Sequence, residues 1–466
     1  MKDRIPKHPG RVELKPVAGQ ENTYDMTMAD EAIENGTPPI KRHLLPDDVA
    51  QRIGGETPPY DVGEALDKMN SFLPTETIYG VPIEELKATV DSLPRLLNRN
   101  IVVNTLPGTT DDVIDVSDFF GGGTLTINGA ATATTTHTVR RFVVARCTNS
   151  RVIINGFNCS ITDNNSVDIF DSFHVHITNM HLTSGTNTTT TNRGVLSNRC
   201  KLVVVNLCTI SNKNEAVRSL LTLMFETHTL SGAGNNIVYM ADIASNLLVR
   251  TQGTIAGNRF CLEANSGRLV MGTSITWSTT MANLQNALDG IPVNIGRFNF
   301  AINVAAGTLN AALTLTDRSG TGRITINGAA TRGTTHTLVS AAFARLSCAL
   351  TLRGFNLTSS NTACVDLWQC EEARIYDCRM VNGSSATTQN VGVVTGRTLS
   401  VQTEACEISN KHLAISASHN SQHISSNNVG SNNHIVHAVF LGTIRRAGSQ
   451  PTGTTATSVG AGGQII

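Results

Sequence analysis

Glycosidic bonds are cut by two carboxylates set about 5–9 Å apart, so the clustered acids of this chain are the first residues to weigh. One cluster holds Asp163, Asp168 and Asp171, and a later one holds Asp366, Glu371, Glu372 and Asp377. When the two are aligned, only Asp168 and Asp366 correspond; Asp163 falls on Asn361 and Asp171 on Gln369. No acid pair is common to both, so the expectation is solvated strand-edge carboxylates and no enzyme. Any catalytic role would fall to Asp168, Asp366, Glu371 or Glu372. The second candidate chemistry is metal binding. His174-Val175-His176 places two imidazoles on one side of a strand, and three such strands around a symmetry axis could make an octahedral site. The aligned residues are Glu372 and Arg374, which could not build it, and Phe173, Val175 and Ile177 claim the inward side. No metal is expected, with His174 and His176 the only candidates. No nucleophile elbow, phosphate loop or dinucleotide motif occurs, and no cofactor is expected.

The two acid clusters align because the chain repeats itself. The phrase TINGAAT occurs at Thr126–Thr132 and again at Thr325–Thr331, each time running on to His-Thr (His137-Thr138, His336-Thr337). Gly-Phe-Asn recurs at Gly156 and Gly354, and Ile-Ser-Asn-Lys at Ile210 and Ile408. The offset stays near 198 (91 to 289, 156 to 354, 210 to 408). Internal repetition fixes architecture class before any element is assigned. Copy one runs over 80–254 and copy two over 278–452, with 255–277 connecting strands between them, a distinct segment 1–79 in front and a Gly/Thr-rich tail 453–466 behind.

Within each copy, short apolar alternations such as Val152/Ile154, Val175/Ile177 and Val203/Val205 return after 23 and 28 residues (152 to 175, 175 to 203). Period two marks strands with one buried face. A cycle of strand, turn, strand and loop at that length predicts coils of a right-handed parallel β-helix. Each copy opens on a helix-like stretch, Ile83, Leu86, Val90 and Leu93 in the first and Leu284, Leu288 and Ile291 in the second, suited to capping an open coil edge. The ten cysteines form no metal-type pairs. Cys208 and Cys406 align with each other, and with Phe157 and Phe355 they are predicted core residues of equivalent rungs.

Charged residues make up 15% and the formal net charge is zero, so no basic field exists to hold a nucleic-acid backbone. MKDRIPKHPG lacks the apolar core of a secretory signal, and no run of about eighteen apolar residues marks a membrane span.

The front segment carries Gly10-Arg11-Val12, Pro16-Val17, Asn22-Thr23-Tyr24-Asp25-Met26, Ala29-Asp30, Gly36-Thr37-Pro38 and Leu44-Leu45-Pro46. In that order these resemble the N-terminal segment of tail-fibre and baseplate-appendage proteins from phages and prophages of Gram-positive hosts. Ile40-Lys41-Arg42-His43 departs from the family's Leu-Asn-Lys-Ala-Asn. The repeated unit, with Ser92–Asn104 and Gly121–Ala131, is similar to β-helical segments of phage fibres. The resemblance implies a virion structural protein made in the host cytoplasm, homotrimeric, attached to baseplate or tail proteins through its N-terminus and projecting towards the host, with a cell-wall glycan a possible partner. Arg11, Val12, Tyr24, Asp25, Met26, Asp30, Leu44 and Leu45 are the docking residues it implies. Two alternatives stand beside attachment: a β-helical tailspike depolymerase cleaving surface polysaccharide, and a non-binding spacer that carries another tip protein.

Overall fold

Alternation of period two builds the coils. Val152 and Ile154, Val175 and Ile177, Val203 and Val205 are wholly buried, and the residues between them face outward. Arg151–Asn155, His174–Thr178 and Leu202–Asn206 pair parallel and in register, stacking Val152, Val175 and Val203 in one column and Ile154, Ile177 and Val205 in another. A parallel pair cannot be closed by a tight hairpin. The chain instead travels once round the molecule between paired strands, and the product is a right-handed parallel β-solenoid of about sixteen coils.

The computed structural model describes residues 75–466 throughout and, before them, the backbone of four short strands, Ile5–Pro6, Val12–Pro16, Tyr24–Met28 and Ala32–Glu34. The chain divides into the units Met1–Thr75 and Glu76–Ile466. In the first, Val12–Pro16 pairs antiparallel with Tyr24–Met28, so Val12, Tyr24, Asp25 and Met26 lie on one two-stranded ladder. Arg11, Asp30, Leu44 and Leu45 fall outside the described residues.

Three faces make the first half of the solenoid. Face A has nine strands, from Glu76–Val81 to Arg268–Met271; face B has seven, from Val113–Ser117 to Gly257–Glu263; face C has five short ones, from Gly108–Thr109 to Thr209–Ile210. In the second half several strands continue round the corners, as His336–Arg353 and Val365–Tyr376 do, and seventeen strands form one sheet from Ile275–Thr279 to Gln464–Ile465. Residues 255–277 complete the last coil of the first half, Gly257–Glu263 and Arg268–Met271, and begin the first strand of the second.

The repeated phrases meet inside the coils. His137, closing the first TINGAAT stretch, stands edge-on to Phe157 of Gly-Phe-Asn at 6.2 Å, and His336 meets Phe355 in the same way at 6.2 Å. Gly156 and Gly354 adopt φ of 79° and 75°, and a Cβ there would lie 1.7 and 1.9 Å from the carbonyls of Ala130 and Ala329. Only glycine fits that corner. All ten cysteines are buried and free; Cys208 and Cys406 are fully enclosed, their thiols donating to main-chain carbonyls, Asn206 at 3.3 Å and Glu404 at 3.4 Å.

Lys213 and Lys411, the last residues of the repeated Ile-Ser-Asn-Lys, are both 0% exposed. The Lys213 ammonium donates to Ser166 Oγ (2.9 Å), Ser184 O (2.6 Å) and Asn192 Oδ1 (2.9 Å). Lys411 donates to Ser359 O, Asn382 O and Asn390 Oδ1 at 2.7–2.9 Å. Three donors meet three acceptors, which is what a buried cation without a counter-ion requires. Each cage pins a Thr/Ser-rich loop, 184–192 or 382–390, against its coil.

Helix α1 (Leu86–Ser92) and helix α2 (Leu284–Asp289) each follow a short 3-10 turn. Ile83, Leu86, Val90 and Leu93 are buried, as are Leu284, Leu288 and Ile291. Helix α2 lies between Gly257–Glu263 of the first half and Gly307–Arg318 of the second. On one side Gly290 O accepts from Cys261 N (3.1 Å) and the Glu263 carboxylate accepts from Val293 N (2.7 Å). On the other, the Gln285 amide takes the place of a neighbouring strand, giving Nε2–H to Thr314 O and accepting from Thr314 N, both at 2.9 Å. Gln252 brackets Thr276 in the same manner where the first half hands over to the second. The buried core therefore runs unbroken from Val81 to Ile444. No helix among the described residues is long and apolar enough to cross a membrane.

Candidate functional site

The outward side chains of face A gather exposed ionisable groups, because every second residue of each strand projects there and parallel register stacks them coil on coil; face B carries a more buried network, Arg193, Glu215, Arg218 and Asp242. In the first half the gathering is basic and imidazole-rich. His174 Nε2 and His176 Nε2 lie 3.1 Å apart, and Arg151 donates to His176 Nδ1 at 2.9 Å. Burial first, then the Arg151 charge, lowers both histidines, His176 to about 4, so both are neutral at pH 7. Glu226 and His228 (3.6 Å apart) with Arg250 (2.9 Å from Glu226) follow two coils further on, and Val204 separates Glu226 from His176 in the column. Among the described residues no group of three or more metal-ligating side chains comes together.

In the second half the same face is an arginine–carboxylate lattice. Glu372 accepts from Arg323 at 2.8 Å and from Arg374 at 2.9 Å. The hydrogen bond from Arg323 is the largest cause holding its carboxyl below the usual range. Arg353 pairs with Asp377 at 3.1 Å, and Tyr376 Oη donates to Gln402 Oε1 at 3.4 Å. Glu371 and Glu372 share a groove of about 530 Å³ with Arg374, Leu399, Gln402 and Ile424. Arg323 stands 49 residues from Glu372, and only coil register brings them together.

The other candidate acids lie elsewhere. Asp168 is on face B, buried, held by Arg141 at 2.9 Å and Asn165 at 2.5 Å. Burial raises its pKa, which a general acid needs, yet its carboxylate is enclosed and occupied. Asp366, its counterpart, is exposed; Ser340 stands where Arg141 does. Asp171 sits at the corner between faces B and A and is clamped by Arg199 at 2.6 and 2.8 Å. Asp118 with Arg146 and Asp317 with Arg345 repeat that clamp. These corner residues share a left-handed backbone, φ 49–65°. The Asp/Arg alternation along it is a ladder that sequence spacing leaves unmarked.

The arrangement can bind. Two-sided guanidinium support gives Glu372 the properties of a fixed acceptor, and the open groove beside it offers hydrogen-bonding groups of both signs. No family model matches this chain, and no curated protein matches it.

Proposed function

We propose that this protein is a fibre or baseplate appendage of a phage particle, a homotrimer that docks through its N-terminal segment, projects from the particle and contributes to host-cell attachment. The observation that carries the reading is the unbroken core. About sixteen coils at about 4.8 Å each make a rod on the order of 75 Å long, and α2 welds its two halves rather than leaving a hinge. Reach and stiffness are what such an appendage must supply. The resemblance of residues 10–46 to appendage N-termini supports the docking role, and the polar groove on face A supports contact with a hydroxyl-rich surface.

The test is complementation of a phage lacking the gene. A chain without residues 1–75 is expected to remain a folded β-rich rod and to be missing from virions. Normal incorporation of that truncated chain would place the attachment point elsewhere and reverse the assigned orientation. Polysaccharide depolymerase is the second reading, favoured by the groove shared by Glu371 and Glu372. The double ion pair on Glu372 weighs against it, since a carboxyl held ionised is a poor proton donor. Release of reducing sugar from host envelopes, lost in Glu371→Gln, would decide for the enzyme.

A further inference from the structure

The duplication supplies its own control for what the fold needs. Just past the left-handed corner between faces B and A, the first half presents Leu96, Phe120, Phe173, Leu223 and Met224, each 37–62% exposed. They climb the rod coil by coil: Leu96 bridges Phe120, Phe173 N bonds Cys147 O, and Met224 N bonds Lys201 O. The second half has the same backbone, with Asn294 bridging Ser319 as Leu96 bridges Phe120. There the places of Leu96, Phe120, Phe173 and Met224 are taken by Asn294, Ser319, Glu371 and Gln422. Both halves close the same coil, so the coil does not require apolar groups at these positions. Leu221 and Ile243, 47% and 40% exposed, widen the ridge where the Asp/Arg ladder ends. A contiguous exposed apolar ridge on a water-facing protein marks an interface.

We infer that along this ridge copies of the chain pack side by side and parallel, about an axis running with the rod. Charge selects a second copy as the occupant. Around such an axis each residue meets its own counterparts, and like charges there repel. The ridge column is nearly free of charge: from Leu96 through Phe120, Thr148, Phe173, Lys201 and Leu223 the single charge is Lys201, laid over the Phe173 ring at 4.2 Å. One column away Asp118, Arg146, Asp171 and Arg199 alternate. An identical rod also has the same coil spacing, so apolar rungs meet apolar rungs along the whole ridge. The inference rests on the homotrimer of the reading above and gives it a location: the first half holds the copies together, and the second half, which keeps only Leu399 and Leu441 of such a ridge, does not.

Sedimentation velocity of the full chain at micromolar concentration is expected to show a trimer. Phe173→Asp combined with Leu223→Asp should give a monomer with unchanged circular dichroism. Leu207→Asp, also at an exposed leucine (49%) but at the corner between faces A and C, should remain trimeric. Because all ten native cysteines are buried, Leu223→Cys adds one reactive thiol, and a short bis-maleimide should join copies through it but not through Leu207→Cys. A monomeric wild type would overturn both the trimer and the ridge. A trimeric wild type whose Leu223→Cys form fails to cross-link would overturn the ridge alone. The cross-link decides the matter if the double aspartate variant does not fold.

Discussion

Helices α1 and α2 occupy the same place in two copies of one unit and meet different demands. Helix α1 buries one side and, with the turn that precedes it, shows Glu84, Glu85, Lys87, Asp91 and Ser92 to solvent. Helix α2 buries two. Ala287 and Gly290 replace Thr89 and Ser92 and are enclosed, and Pro292 is buried where Pro94 is exposed. Gln285 replaces Lys87 and serves as a strand surrogate. A helix that ends a stack can discard its outer side to charge; one that joins two stacks has to satisfy backbone and volume on both. The interiors diverge as well. Tyr239, Phe260, Trp277 and Phe300 pack edge-to-face at 5.1–5.3 Å across the joint. In the second half His423 and His437 stand where Phe225 and Tyr239 do.

The largest effect is expected at Gly290. A Cβ there would lie 2.7 Å from Arg259 Cγ and 2.7 Å from Phe260 N, the latter backbone that cannot retreat without opening the joint. Gly290→Ala should cost about 2 kcal/mol, read as a lower denaturant midpoint, while Ser92→Ala in α1 should change nothing measurable. Helix propensity alone favours alanine by up to about 1 kcal/mol, so a stabilised Gly290→Ala would break the comparison.

Acid should have the next largest effect, and buried histidines carry it. Burial lowers His423 to about 3, and burial with Arg446 nearby lowers His437 to about 4, from an ordinary 6.5. Both are neutral when folded and would take up protons when unfolded between those values. Their share of stability is therefore present above pH 6.5 and is lost as pH falls from 6.5 towards 4 and then 3. Melting curves recorded from pH 7 to 4 should show a falling midpoint, to which His176 of the first half, also lowered to about 4, adds its share, each kcal/mol lowering the midpoint of a unit this size by about 2–4 °C. His423→Phe with His437→Tyr should flatten the dependence; an unchanged slope would assign it elsewhere.

The smallest effect compares the helices directly. Gln285→Ala leaves the Thr314 amide and carbonyl without partners and should cost about 1 kcal/mol. At the equivalent place in α1, Lys87 makes an exposed pair with Asp91 at 2.7 Å, and Lys87→Ala should lie within error of wild type in the same unfolding assay.

The coils were legible because burial imposes period two on every strand and the duplication showed pairs such as Val152/Ile154 again as Leu350/Leu352. The helices were legible for the same reason at period 3.6. Three features were not. The left-handed corner is usually announced by glycine or asparagine, whereas here Asp118, Arg146 and Leu221 hold it, because each hands its amide to the next coil (Asp118 N to Ala145 O, 2.9 Å; Arg146 N to Phe170 O, 3.0 Å; Leu221 N to Ile243 O, 2.9 Å). Lys213 and Lys411 sat inside a recognised repeat, yet a lysine in sequence reads as solvated charge until three acceptors from distant segments close on it. The lattice around Glu372 depends on side chains one and two coils apart, and nothing local links Arg323 to it. His174 and His176 do approach each other, as their spacing allows, but the coils above and below supply no third ligand.

The glutamine brackets let such a molecule grow. Asn214, Asn236, Asn258 and Asn283 hand an amide hydrogen bond from coil to coil across the joint into the turn that begins α2, at 3.1–3.5 Å. With Gln252 and Gln285, they let a helix be inserted between two strand stacks while the backbone pairing on either side continues. A duplication in this setting needs no new interface: the helix that stands at one end in the first copy serves as an internal rung in the second, with few differences, chief among them Gly290 for Ser92 and Gln285 for Lys87. Length then becomes a heritable trait that changes by whole units.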